Sequence, residues 1–273
     1  MTLRWMTQRP ATTLATAAFL LLGVPRVACA QVRIEREAFT WAGAIPEGRW
    51  ISVRNLRGNV EVTRGGDKVE VIALRRTRRG DPDFVRFEVL KFGPGNQNVL
   101  ICALWGENSD CAEDSYRSRS DRRSRENDVT VDFSIRVPRG VKVGAHTVNG
   151  DVQVEDAAAE VDAESVNGSV VVSTVGGPIN ARTTNGSVRA TMGKFDLNSD
   201  LSFSSVNGPV VVEFTGDIDA EIELVTMNGR FLTDFPVTIT GRIDPRRLRA
   251  TLGKGGPRIR LATVNGNVEL RRR

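Results

Sequence analysis

Two runs of acidic residues carry most of the chemistry this sequence could perform: Glu155, Asp156, Glu160, Asp162 and Glu164, then Asp217, Asp219, Glu221 and Glu223. Two carboxylates roughly 5–10 Å apart suffice for glycoside hydrolysis. Both runs, however, alternate with Val161, Ala163, Ile222 and Leu224, the pattern of a strand whose charges lie on its outward face. The chain has one histidine, His146, which excludes most nucleophilic triads and histidine-rich metal sites. It stands on a strand three residues before Asn149 and reads as a surface or rim side chain. The Gly-Gly-x-Gly-x-Asp calcium repeat is missing, and no Gly-rich turn precedes a helix to cradle phosphate. Gly65-Gly66-Asp67-Lys68 reads as a tight hairpin turn, and the sequons at Asn167 and Asn185 read as turns. No catalytic, cofactor or metal site emerges.

The residues that recur most regularly are Asn-Gly pairs: Asn149-Gly150, Asn167-Gly168, Asn185-Gly186, Asn207-Gly208, Asn228-Gly229 and Asn265-Gly266. The spacings are 18, 18, 22, 21 and 37 residues. Ser or Thr stands two residues before each Asn, and an alternating run such as Ser169-Val170-Val171-Val172 follows. A second alternating segment completes each unit, as in Pro178–Ala181 and Arg258–Leu261. Period-two alternation means strands with one buried face; Val152, Val154, Val170, Val172, Ala181, Val210 and Val212 are the inward candidates. Asn-Gly between alternating strands is also a hairpin signal, but recurrence with matching flanks favours stacked rungs. The expected fold is therefore all-β, a β-solenoid. Glycine would supply positive φ at the corners, and Asn149, Asn167, Asn185, Asn207 and Asn228 would stack as an amide ladder.

Residues 31–140 are less regular but β-rich, with strands expected at Trp50–Val53, Val60–Val62, Val69–Leu74, Val85–Leu90, Val99–Leu104 and Val129–Val137. They form an N-terminal cap that covers the sheet edges of the repeat in 141–273. Gly58-Asn59-Val60-Glu61-Val62 is a degenerate repeat. Residues 109–128, rich in both charges, read as a solvated loop.

The first thirty residues have the form of a cleaved export signal: Arg4 and Arg9, an apolar stretch to Val24, and Ala28-Cys29-Ala30 before Gln31. The apolar stretch is too short to span a membrane. Lipidation of Cys29 would anchor the chain, although Arg26 stands where an aliphatic residue is usual. The formal charge of +5 falls by three with the leader, leaving interspersed charges that give nucleic-acid binding little support. In an oxidising compartment Cys102 and Cys111 can pair.

Phe133-Ser134-Ile135-Arg136-Val137-Pro138-Arg139-Gly140, the Asn-Gly units, and Leu252-Gly253-Lys254-Gly255-Gly256 leading into Thr263-Val264-Asn265-Gly266 together resemble the DUF4097 family of β-strand-repeat, adhesin-like proteins. The resemblance runs from about Val53 to the C-terminus. It implies a right-handed single-stranded β-helix in a cell-envelope or surface setting, and brings no catalytic residues with it. The functional expectation is an exported, non-enzymatic envelope module that binds a glycan, a surface protein or another copy of itself. The alternatives are a polysaccharide-processing enzyme using carboxylates on one face, and a periplasmic sensory accessory.

Overall fold

The computed structural model describes residues 33–78, 80–117, 127–193, 199–238 and 244–273, with 33–38 described through their backbone. The expected export signal, with Cys29, lies outside them, as do Phe195 and residues 118–126 of the charged segment.

The fold is all-β. From the N-terminus run β1 (Arg33–Gly43), β2 (Trp50–Arg57), β3 (Val60–Arg64), β4 (Val69–Thr77), β5 (Val85–Phe92) and β6 (Asn98–Trp105). A small hairpin, β7 (Asp110–Ala112) and β8 (Ser115–Arg117), precedes β9 (Thr130–Val137). The repeat follows as β10 (Lys142–Asn149), β11 (Val152–Ala157), β12 (Val161–Asn167), β13 (Val170–Thr174), β14 (Ile179–Asn185), β15 (Val188–Met192), β16 (Leu201–Asn207) and β17 (Val210–Phe214). The chain closes with β18 (Ala220–Asn228), β19 (Phe231–Thr233), β20 (Arg247–Leu252), β21 (Arg258–Asn265) and β22 (Val268–Arg272).

Each Asn-Gly pair ends a strand of one sheet and begins a strand of the other, so every unit contributes one strand to each. The first sheet has the order β1-β4-β9-β3-β11-β13-β15-β17-β22-β19, the second β20-β18-β21-β16-β14-β12-β10-β2-β6-β5. From β10 to β17 all pairing is parallel and, apart from a bulge between Val154 and Ala157 on β11, in register: Val161 lies beside Ile179, Val170 beside Val188, Asn167 beside Asn185. No two strands joined by an Asn-Gly pair are hydrogen-bonded neighbours, so these turns are corners and not hairpins.

Alternation decides which side chains face inward. Val152, Val154, Val170, Val172, Ala181, Val210 and Val212 are buried between the sheets, and each buried valine contributes about 1.5–3 kcal/mol. The units from β10 to β13 fill the core with Val and Ala, whereas Ile179, Met192, Leu201 and Phe203 bring larger groups into the units that follow. Phe39 stacks on Phe87 with centroids 4.9 Å apart, and Phe214 meets Phe235 edge-on at 6.5 Å. Three of the four outermost strands turn antiparallel, β1 on β4, β5 on β6 and β20 on β18, while β19 runs parallel to β22.

Stacking order departs from chain order at both ends. β2 and β3 pair directly with β10 and β11 on one side, while β6 and β9 pass to their other side. The last unit, β21 and β22, lies between β16–β17 and β18–β19. Gly65–Lys68 is correspondingly not a hairpin turn, because β9 runs between β3 and β4. A connection that must clear an intervening strand cannot close a two-strand ladder.

Candidate functional site

The corners show why the repeat is written Ser/Thr-x-Asn-Gly. The inward hydroxyls of Thr147, Ser165, Thr183 and Ser205 donate to the carbonyl oxygens of Gly58, Gly150, Gly168 and Gly186, at 2.7–2.9 Å. Thr263 and Thr226 do the same to Gly208 and Gly266. Each hydroxyl therefore satisfies a corner carbonyl of the neighbouring unit near the core; the Gly58 carbonyl also accepts from the Asn55 amide at 3.0 Å.

The asparagine side chains form a continuous chain of amide bonds. Asn167 donates to Asn149, Asn185 to Asn167, Asn207 to Asn185, Asn265 to Asn207 and Asn228 to Asn265, all at 2.7–2.9 Å. In space, Asn265 stands between Asn207 and Asn228. The corner glycines answer chiefly to close approach. A Cβ on Gly150, Gly168, Gly186, Gly208, Gly229 or Gly266 would fall 1.8–2.3 Å from the carbonyl oxygen of the adjacent corner glycine. Four of them have φ near +155°, but steric exclusion applies at all six.

The outward face of the second sheet carries the polar side chains. His146 Nε2 lies 3.0 Å from Asp162 Oδ2, Asn180 donates to Asp162 Oδ1 at 2.7 Å, and Arg182 Nε is 3.1 Å from Glu164 Oε2. Burial alone would raise the Asp162 carboxyl. The hydrogen bond and charge of His146, with Arg182 and Asn180, outweigh it and hold the group below its ordinary value.

The hairpin β7–β8 overhangs this face at its N-terminal end. The expectation of a solvated loop gives way over residues 110–117, where a disulfide joins Cys111 to the buried Cys102 of β6. Cys111 and Tyr116 pack with Leu100, Cys102 and Leu104. The Tyr116 hydroxyl donates to the Ala103 carbonyl at 2.6 Å, and burial pushes its pKa far above the ordinary tyrosine range. Arg54 donates to the carbonyls of Ala112, at 3.1 Å, and Glu113. The sequence does signal this arrangement: Val99-Leu100-Ile101-Cys102-Ala103-Leu104-Trp105 is an unbroken apolar run, the mark of a strand covered on both faces. Between hairpin and sheet lies an open groove of about 340 Å³, lined by Arg54, Asp114, Tyr116, His146, Glu164 and Arg182, with Val148 and Val166 along one side.

The acidic runs are not gathered into one site. Glu155 and Asp156 lie exposed on β11, and Asp217, Asp219 and Glu221 are exposed near the opposite end. Glu223 differs, its side chain being only 6% exposed although it points outward. Arg247, Arg249 and Arg260 converge on it, with Arg260 Nη1 2.6 Å from Oε2 and Arg249 Nε 3.2 Å from Oε1. Burial would raise this carboxyl, but hydrogen bonds from the three arginines bring it down to about 2. Alternation alone could not find this cluster, because two of its arginines lie on β20, an added antiparallel strand. Among the described residues, no group of three or more His, Cys, Asp or Glu is arranged to hold a metal ion, and no helix is long and apolar enough to cross a membrane.

These features define an all-β protein of two large sheets with a polar groove under a disulfide-tethered hairpin. No family model matches the chain, and no curated protein matches it. Among solved structures it is similar to a putative cell adhesion protein from Clostridium sporogenes: 9% identity, TM-score 0.45, covering 89% of this chain and 100% of that one. It is also similar to a putative adhesin from Bacteroides fragilis, with 10% identity and a TM-score of 0.26, covering 86% of this chain and 96% of that one.

Proposed function

We propose that this chain is an exported, non-enzymatic binding or structural module of the cell envelope, built as a right-handed single-stranded β-solenoid of the DUF4097 kind. The observation that carries the reading is the corner architecture. Hydroxyl, amide and glycine lock successive units in register, so the outward strand faces form a rigid surface on which side chains vary freely while the scaffold stays the same. Residues of Asn149–Gly150 type are structural in this reading, and function lies on the faces between them. The Cys102–Cys111 disulfide supports export, since such bonds persist in oxidising compartments. The carboxylates weigh toward binding over turnover: Asp162, Glu164 and Glu223 are each engaged by a basic partner.

The test is fractionation of native cells, with mass spectrometry of the mature N-terminus and a binding assay on isolated envelope. The expected results are a chain beginning at Gln31 in an envelope or extracellular fraction, and retention on envelope material. A lipidated N-terminus at Cys29 would place it on a membrane. An unprocessed, reduced chain in the cytoplasm would refute export and the envelope role with it.

A further inference from the structure

The groove beneath the β7–β8 hairpin is concave, reaches the lower range of small-ligand sites by volume, and has a composition that discriminates among ligand classes. Most of its polar groups already have partners. Arg182 is paired with Glu164, His146 with Asp162, and Arg54 is committed to two carbonyls of the hairpin. Asp114 brings a further negative charge to the rim. An anion entering the groove would have to compete with Glu164 and Asp114 for the guanidinium groups. A cation would compete with Arg54 and Arg182 for the carboxylates.

A ligand of paired donors and acceptors meets no such conflict. A guanidinium in one ion pair retains further N–H donors, and a carboxylate in one pair retains lone pairs. A hydroxyl can accept from the first and donate to the second. The groove also offers carbon surface. The Tyr116 hydroxyl is directed to the Ala103 carbonyl, so the part of this residue left for the groove is its ring, and Val148 and Val166 line the same space.

Register extends that apolar strip beyond the groove. On the outward face, Val148, Val166, Thr184, Val206, Val264 and Met227 each precede the corner position of successive strands in the second sheet, whereas Leu56 at the same register on β2 packs against the core. Val206, Val264 and Met227 are 40%, 40% and 49% exposed. Five inter-strand steps of about 4.8 Å make a track roughly 24 Å long, flanked on one side by the asparagine amides.

We propose that this groove and track bind a neutral oligosaccharide, one sugar seated against Tyr116, Arg182 and Glu164 and the chain running along the aliphatic strip beside the amide ladder. The proposal rests on the envelope-binding reading, and it names the partner class. It assigns sugar hydroxyls to the ion-paired floor and sugar C–H faces to Tyr116 and the valines.

The experiment titrates the oxidised chain of residues 31–273 with neutral gluco-, manno- and N-acetylglucosamine oligomers and with uronic-acid oligomers of equal length, followed by isothermal calorimetry. Arg182→Ala and Glu164→Gln are measured in parallel, with thermal melts as the check on folding. The expected result is binding of at least one neutral series that tightens with chain length, weak or absent binding of the uronic series, and a loss of about tenfold in each variant with unchanged melting. Preference for the uronic series, absence of binding to every sugar, or equal binding by the variants would each overturn the proposal. If the wild-type chain is retained on isolated envelope but the variants are retained equally, the groove assignment fails while the envelope role stands. Tight association of the chain with itself that blocks sugar binding would assign the strip to a second copy instead.

Discussion

Replacing Gly168 by Ala tests the corner architecture most directly, because the steric demand there can be read from distances. The added Cβ would lie 1.9 Å from the Gly150 oxygen, 2.5 Å from its carbonyl carbon and 3.0 Å from Asp151 Oδ1. Relief requires two neighbouring corners to separate by more than 1 Å, on the scale of ordinary van der Waals contact. They are pinned by Gly150 N–H to Asn167 O, Val152 N–H to Ser169 O, and the Ser165 hydroxyl to Gly150 O, at 2.8–3.0 Å. Overpacking of a filled interior costs about 1–3 kcal/mol, and one strained or broken hydrogen bond adds about 1 kcal/mol. A loss of about 3 kcal/mol is expected, or roughly 6–12 °C in Tm for a domain of this size. Gly176→Ala is the matched control: its nearest neighbour would be the Ala158 oxygen at 4.0 Å, so a change within about 0.5 kcal/mol is expected. Calorimetric melts of both variants decide the matter. Equal Tm values for Gly168→Ala and Gly176→Ala would refute the close-approach argument.

Asn265→Ala removes two bonds from the interior of the amide ladder and Asn228→Ala only one at its end. Each exposed bond is worth about 0.5–1 kcal/mol, so denaturant titration should show the greater loss for Asn265→Ala; the reverse order would contradict the observed stacking. Glu223 has a folded-state pKa of about 2 against an ordinary 4.5, so its contribution is complete above pH 4.5 and is lost as pH falls toward 2. The shift sets an upper bound of about 3 kcal/mol, reduced to about 1–2 by screening at the half-exposed arginines. Melts of wild type and Glu223→Gln should differ at pH 7 and converge near pH 2, and a gap independent of pH would rule the contribution out. Cys111→Ser opens a disulfide that closes a short loop, which costs about 2.5 kcal/mol on the chain-entropy account. Hydrogen exchange should quicken first in β7 and β8, and uniform exchange with an unchanged Tm would show that the hairpin holds without the bond.

Strand identity, corner positions and inward residues were legible from the sequence because they depend on local periodicity. Val170 and Val172 face inward as alternation requires, and matching flanks around each Asn-Gly pair distinguished corners from hairpins. The hairpin on β6 was legible in principle from the doubly apolar run at Val99–Trp105, but the charge of residues 109–128 masked it. Local pattern could not place Arg247 and Arg249 beside Glu223, because antiparallel addition of β20 to β18 is a pairing between segments with no shared repeat.

Stacking order belonged to the tertiary structure alone. Every unit offers the same hydroxyl, amide and glycine at the same register, so any corner can stack on any other, and sequence adjacency does not select the neighbour. The 21-residue interval between Asn207 and Asn228 resembles the earlier ones, yet it is there that the stack skips a place, which the unit after the 37-residue interval returns to fill. Burial and edge pairing decide that: β21 is parallel to both β16 and β18, while β20 takes the outer edge. Amino-acid sequence thus determined what each unit is made of, and the competition among interchangeable units for neighbours determined where each one lies.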